Sequence, residues 1–296
     1  MTTPESCSLA EEWSNGVQTV RIRWSRSNPA PHDMANILFV TATDTGVGKT
    51  VLTSLLLLHL RRAGVDVLGI KPFCSGGWAD VDRLRRMQSP RPSREQVTPF
   101  FFKQPLAPSV AVRMNGGSKV TLKEAVAVVR ERARGRECLV VEGVGGVRVP
   151  LGENGGNRNF CVADWIAALP CPCEVILVAA NRLGTVNHTL LSLEALRARG
   201  VNRVQVVLME VEKADPSATT NGDLIKKVMR EEKWKGEVKT VGFLGKMGKS
   251  TEWDEAVLAN GSRIFEKVLA GIWLPDTFCP RQRDTAVKRE PGPRRR

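Results

Sequence analysis

From residue 37 the chain alternates short, nearly continuous apolar runs with longer stretches whose apolar residues recur at helical spacing. The runs Ile37–Thr41, Val65–Ile70, Cys138–Val141, Val175–Ala180, Val204–Met209 and Val241–Leu244 predict buried strands. Between them, helical text runs from the segment after Thr41 to about Ala63, then over Leu122–Arg134, Asp164–Leu169, Asn187–Arg199 and Asp223–Glu232. Gly64 and Gly200 stand where helix C-caps belong. Strands apolar along their whole length, alternating with helices, predict an α/β fold with a parallel central sheet covered by helices on both faces.

Residues 1–33 show no sustained period and end in Ser27-Asn28-Pro29-Ala30-Pro31, so residues 1–35 read as a poorly ordered extension with Met34 a candidate start. The folded domain is expected over 36–275. The last residues, 276–296, form a basic tail: from Arg281 on it holds seven Lys or Arg against Asp284 and Glu290. That tail carries more than a third of the formal net charge of +13, so the basic balance reads as a solvated appendage and no nucleic-acid partner is expected. The most apolar segment, Val51–Leu60, is too short to span a bilayer, and the N-terminus lacks the pattern of a secretory signal. Seven scattered cysteines suit reduced core thiols, and Cys171-Pro-Cys173 has no second ligand pair for a metal. A cytoplasmic protein without a membrane partner is expected.

The chemistry concentrates at strand ends. Gly48-Lys49-Thr50 follows a strand and opens a helix, the context of a phosphate-binding loop. Small residues let backbone N–H groups approach phosphate oxygens, and the helix N-terminus adds its positive end. Lys49 then supplies a point charge to the terminal phosphates, and the Thr50 hydroxyl a ligand for Mg2+. Lys71-Pro72 ends the second strand, ahead of Ser75-Gly76-Gly77, where ligands of open α/β sheets bind. Of Asp80 and Asp82, either is a magnesium ligand or the two are an acidic pair on a surface turn. Glu142, at the end of Cys138–Val141 and before Gly143-Val144-Gly145-Gly146, stands where such enzymes hold magnesium directly or through water. Leu183–His188 lies between strand and helix and can bind an anion through backbone N–H groups, with His188 read as a cap or packing residue.

As a set, TDTGVGKT (43–50), GIKPFCSG (69–76), the Asp80 region, PLAPSVAV (105–112), VVEGVGG (140–146), ADW (163–165) and LGTVNH (183–188) resemble the dethiobiotin synthetase family of P-loop enzymes. The resemblance covers roughly residues 36–210. It implies a P-loop NTPase-like fold and a ligase of biotin biosynthesis. In that reaction 7,8-diaminononanoate is captured by CO2 as a carbamate, the carbamate takes the γ-phosphoryl group of ATP, and the neighbouring amine closes the ring. By motif match Thr45, Gly46, Val47, Gly48, Lys49 and Thr50, with Glu142, Gly143, Gly145 and Gly146, would hold the nucleotide. Lys49, Thr45 and Lys71 would be catalytic, and Thr50, Asp80 and Glu142 would organise Mg2+. Lys71 and Ser75 would hold the carbamate, while Gly184, Thr185, Val186 and Asn187 would meet the substrate carboxylate across a homodimer interface.

Several positions depart from that pattern. Ala42 replaces a glycine, Ser109 a bulkier residue, and Met209-Glu210 stands where an adenine-reading Asn-Asp pair is usual. Gly242-Phe243-Leu244-Gly245-Lys246 lacks a proline common after the late strand, so looser nucleotide choice is implied. The rival reading is a partition or site-placing ATPase that binds DNA or membrane. Its loop would carry an early lysine, and none lies between Val40 and Gly48.

Overall fold

The computed structural model describes residues 8–14, 17–23, 35–115, 119–154, 158–170 and 173–244. The basic tail over 276–296 and Cys171 lie outside these residues. The chain divides into two compact units at Asp33 and Met34. In the first, β1 (Ser8–Ser14) and β2 (Val17–Arg23) pair antiparallel, with Ser14 opposite Val17. Periodicity did not indicate this hairpin, because the alternation in its second strand breaks at Thr19-Val20.

The second unit opens with β3 (Asn36–Ala42), α1 (Lys49–Arg62) and β4 (Val67–Ile70). A region of short elements follows: β5 (Phe73–Ser75), α2 (Ala79–Arg86), α3 (Arg94–Val97), β6 (Phe100–Phe102) and α4 (Pro108–Asn115). Then come α5 (Leu122–Ala133), β7 (Cys138–Glu142), the antiparallel pair β8 (Pro150–Glu153) and β9 (Asn159–Cys161), and α6 (Val162–Ala168). The last elements are β10 (Cys173–Asn181), α7 (Thr185–Arg197), β11 (Val204–Glu210), a 3-10 turn (Pro216–Thr219), α8 (Asn221–Glu231) and β12 (Val238–Val241).

Six strands form one sheet in the order β12-β11-β10-β3-β7-β4, and every neighbouring pair is parallel. Residue parity sorts each strand onto two cores, as a pleat with period two requires. Ile37, Phe39, Leu139, Val141, Leu177 and Leu208 pack with α5 to α8, whereas Leu38, Val40, Val140, Val178 and Val207 pack with the leucines of α1. The expected sheet with helices on both faces is therefore present. No helix among the described residues is long and apolar enough to cross a membrane.

One strand expectation is corrected. The last strand is Val238–Val241 rather than 241–244. Val238 and Val241 are buried beside Val206 and Met209, while Gly242 and Phe243 turn out to solvent. This edge strand buries only Val238 and Val241, with Lys239 and Thr240 between them, so its signal is weaker than that of the apolar-looking run that overlaps its end.

Candidate active site

A parallel sheet gathers the ends of all its strands along one edge, and the cleft lies there. Residues after β3, β4, β7, β11 and β12 line a cavity of about 760 Å³. At its centre the loop 43–48 leads from β3 into α1. Gly48 is the N-cap residue of α1 with φ 106°, in the left-handed region, and a Cβ there would stand 3.0 Å from Met209 Cγ. Thr45, Gly46, Val47, Gly48, Lys49 and Thr50 all line the cavity.

Lys49 is buried, and its ammonium donates to the carbonyls of Asp44 and Gly145, both at 2.9 Å. Burial pulls its pKa down to about 8, with the Lys71 charge acting the same way against Glu142, Asp80 and Asp44. Glu142 is the last residue of β7 and fully buried. Its Oε1 accepts from the Thr50 hydroxyl at 2.8 Å and from Lys71 Nζ at 2.7 Å, while its Oε2 has no hydrogen-bond partner. Lys71 Nζ also donates to Asp80 Oδ2 at 2.6 Å. Burial lowers the Lys71 pKa, but the Glu142 and Asp80 carboxylates outweigh it and hold it well above the usual lysine range. For Asp80 the burial penalty is likewise overcome by Lys71, and its pKa lies below the ordinary carboxylate value.

The region of short elements fixes this cluster. The Lys71 backbone donates to Val97 and its carbonyl accepts from the Thr98 hydroxyl at 2.7 Å, so α3 clamps the residue after β4. Asp80 sits in the first turn of α2, where the positive helix end favours it. Asp82, the other member of the acidic pair, is engaged by Arg85 and Arg94 instead. Beneath the cleft, Trp165 meets Phe39 edge-on at 5.0 Å and Phe73 at 5.3 Å, joining the phosphate-loop strand to the Lys71 segment.

Ser75 and Gly145 also line the cavity, whereas Gly143 and Gly146 support it from behind. Gly143 donates to Val40, and a Cβ on Gly146 would stand 2.7 Å from the Thr43 carbonyl oxygen. Gly184, Thr185, Val186 and Asn187 do not line this cavity. They form the start of α7, with Gly184 as its N-cap residue at φ 91°. The sequence did not single out Cys74, Pro105–Pro108 and Val149 as lining residues. Only PLAPSVAV hinted at them, since apolar walls carry no chemical signature. Cys74 is buried, its thiol donates to the Gly77 carbonyl, and burial pushes its pKa up to about 11, so it is a poor nucleophile. Among the described residues no group of three or more His, Cys, Asp or Glu side chains is placed to hold a metal by itself.

A glycine loop between a central parallel strand and a helix, with a buried lysine and a strand-end carboxylate on the Thr50 hydroxyl, defines a P-loop NTPase. A family profile described as an AAA domain matches residues 36–251. The ATP-dependent dethiobiotin synthetase BioD of Bacillus licheniformis is 38% identical over 195 residues, covering 64% of this chain and 80% of that protein. Its counterpart in Anaeromyxobacter sp. (strain K) is 42% identical over 189 residues, covering 62% and 81%. That of Bacillus subtilis (strain 168) is 37% identical over 196 residues, covering 64% and 81%. Among solved structures, the MinD cell division protein of Aquifex aeolicus aligns with 81% of this chain and 99% of its own at 12% identity and a TM-score of 0.44. The chain belongs to the ATP-dependent dethiobiotin synthetase family.

Proposed function

We infer that this protein is an ATP-dependent dethiobiotin synthetase, a ligase that closes a ring through carbon–nitrogen bonds in biotin biosynthesis. Its substrates in this reading are 7,8-diaminononanoate, CO2 and ATP. The observation that carries it beyond the family is the Lys71–Glu142–Asp80 cluster beside the phosphate loop in one cleft. A carbamate and a triphosphate repel each other, so the phosphoryl acceptor needs a cation of its own. Lys71 is that cation, with Ser75 beside it and Lys49 and Thr45 on the phosphate side. Lys71 can leave its two carboxylates for the carbamate when another cation takes its place.

That cation is Mg2+, and the residues fit it. Glu142 Oε2 is a buried, unpartnered carboxylate oxygen, with the Thr50 hydroxyl on the same side chain and Asp80 one lysine away. Magnesium is commonly held by one or two carboxylates together with substrate phosphates, and among the described residues no all-protein cage is placed for it. When bound, it neutralises charge on the β- and γ-phosphates. Thr50, Glu142 and Asp80 would hold it.

A homodimer completes the reading, with Gly184–Asn187 of a second copy offering backbone N–H groups to the substrate carboxylate. The exposed apolar side chains Leu183, just before that helix, and Leu191, midway along it, support an interface there. We place the protein in the cytoplasm, where the free thiols Cys74, Cys138 and Cys161 stay reduced.

Purified protein is expected to release phosphate from ATP only when diaminononanoate and bicarbonate are both present. Hydrolysis independent of these and stimulated by DNA or lipid vesicles would overturn the ligase reading in favour of a switch ATPase. A second expectation follows from Lys49. Its pKa of about 8 in the ligand-free cleft leaves part of it neutral near that pH. Polyphosphate favours the charged form, so binding raises the pKa and takes up protons. Calorimetry in buffers of different ionisation enthalpy should find uptake of roughly half a proton per ATP at pH 8, vanishing towards pH 6. No uptake at pH 8 would contradict it.

A further inference from the structure

The cleft has two wings. Because β3 lies fourth in the sheet order, residues after β7 and β4 fall on one side of the phosphate loop, and residues after β10, β11 and β12 on the other. The first wing holds the charged cluster. The second is lined by Ala180, Met209, Glu210, Val211, Phe243 and Leu244, none of them basic. Mostly apolar walls with a few placed polar groups suit a heterocyclic base whose phosphates rest on the loop.

The carboxylate of Glu210 is fixed from behind. Its Oε1 accepts from Asn181 Nδ2 at 2.9 Å. Asn181 is buried, donates also to the Ala218 carbonyl at 3.0 Å, and accepts from Asn221 Nδ2 at 2.9 Å. Asn221 in turn donates to the Ser217 hydroxyl at 3.2 Å. Three segments thus orient Glu210, and its Oε2 has no hydrogen bond among the described residues. Glu212, two residues on, lines the same wing and adds negative charge.

A carboxylate only accepts hydrogen bonds. Guanine presents N1–H and the N2 amino group side by side, two donors toward one carboxylate. Hypoxanthine keeps N1–H alone. Adenine sets lone pairs at N1 and N7 beside its single amino group, and a carboxylate repels them. We propose that Glu210 determines nucleotide specificity by accepting hydrogen bonds from a guanine edge, so that the protein takes GTP at least as well as ATP. This rests on reading the cleft as the nucleotide site of a ligase.

The test is displacement of a fluorescent methylanthraniloyl-ATP by ATP, GTP and ITP, with Mg2+ and no other substrate. GTP is expected to displace the probe at least as well as ATP, and ITP roughly tenfold less well than GTP, the value of one hydrogen bond to a charged group. Glu210→Gln should lower the GTP-to-ATP affinity ratio roughly tenfold. Glu210→Ala should lower it too, and it leaves Asn181 its bond to Ala218, so the support behind the site persists. Tenfold weaker GTP than ATP in the unsubstituted protein, or equal changes for both nucleotides in the variants, would overturn the proposal. If the affinities follow the expected order but no nucleotide supports ring closure, the ligase reading fails and the base assignment stands.

Discussion

Replacing Lys71 by alanine should slow dethiobiotin formation by about 10³-fold or more while the protein still binds ATP. Removing one preorganised donor from a developing anion costs 10²- to 10³-fold in well-studied enzymes, and here the donor is a full charge in a buried site. ATP binding should survive because Lys49 is held separately, by the carbonyls of Asp44 and Gly145. The substitution also strips the fully buried Glu142 of its compensating charge, leaving only the Thr50 hydroxyl on Oε1. Breaking a buried pair in this way costs about 3–5 kcal/mol, so the ligand-free variant should unfold at lower urea than its parent. Saturating Mg2+ and ATP should recover part of that loss. Single-turnover ring closure and ATP titration, both done with nucleotide present, separate the chemical defect from the folding one. A variant that closes the ring at near-parental rate would remove Lys71 from the chemistry.

Trp165→Ala should lower unfolding free energy by about 3–5 kcal/mol in urea with little change in slope. Trp165 is fully buried and contacts the rings of Phe39 and Phe73, so alanine leaves a void that the neighbouring strands cannot fill. Trp165→Phe should cost much less. It keeps most of the packing and removes an indole N–H that is buried without a partner. Because Phe39 leads into the phosphate loop and Phe73 follows Lys71, the alanine variant should also lose ATP affinity, and the phenylalanine variant should not. A loss of stability under about 1 kcal/mol would show that the surrounding core collapses into the space.

Much of this site was legible because its chemistry is local. Lys49, Thr50 and Glu142 are marked by apolar strands that run into glycine-containing loops, and burial on both faces makes such strands continuous apolar runs. Lys71 was placed because it ends another apolar strand, directly before Pro72. The clamp around it was not, since residues 73–115 are built of elements three to eight residues long, too short for either period to register. Asp80 and Asp82 could not be separated in sequence. Only the fold turns one to Lys71 and the other to Arg85 and Arg94. The Asn181–Glu210–Asn221 network links residues up to 40 positions apart, beyond the reach of any local pattern.

The order of the strands sets what can change independently in this protein. In the proposed reading the acceptor machinery would hang from β4 and β7 and the base pocket from β11 and β12, with β3 between them in the sheet. β3 and the leucines of α1 stand between the flanks, although both flanks contribute to the buried cluster on the α1 face. If the proposed assignments hold, a change of fuel and a change of acceptor chemistry would arise at residues on separate strands of one sheet.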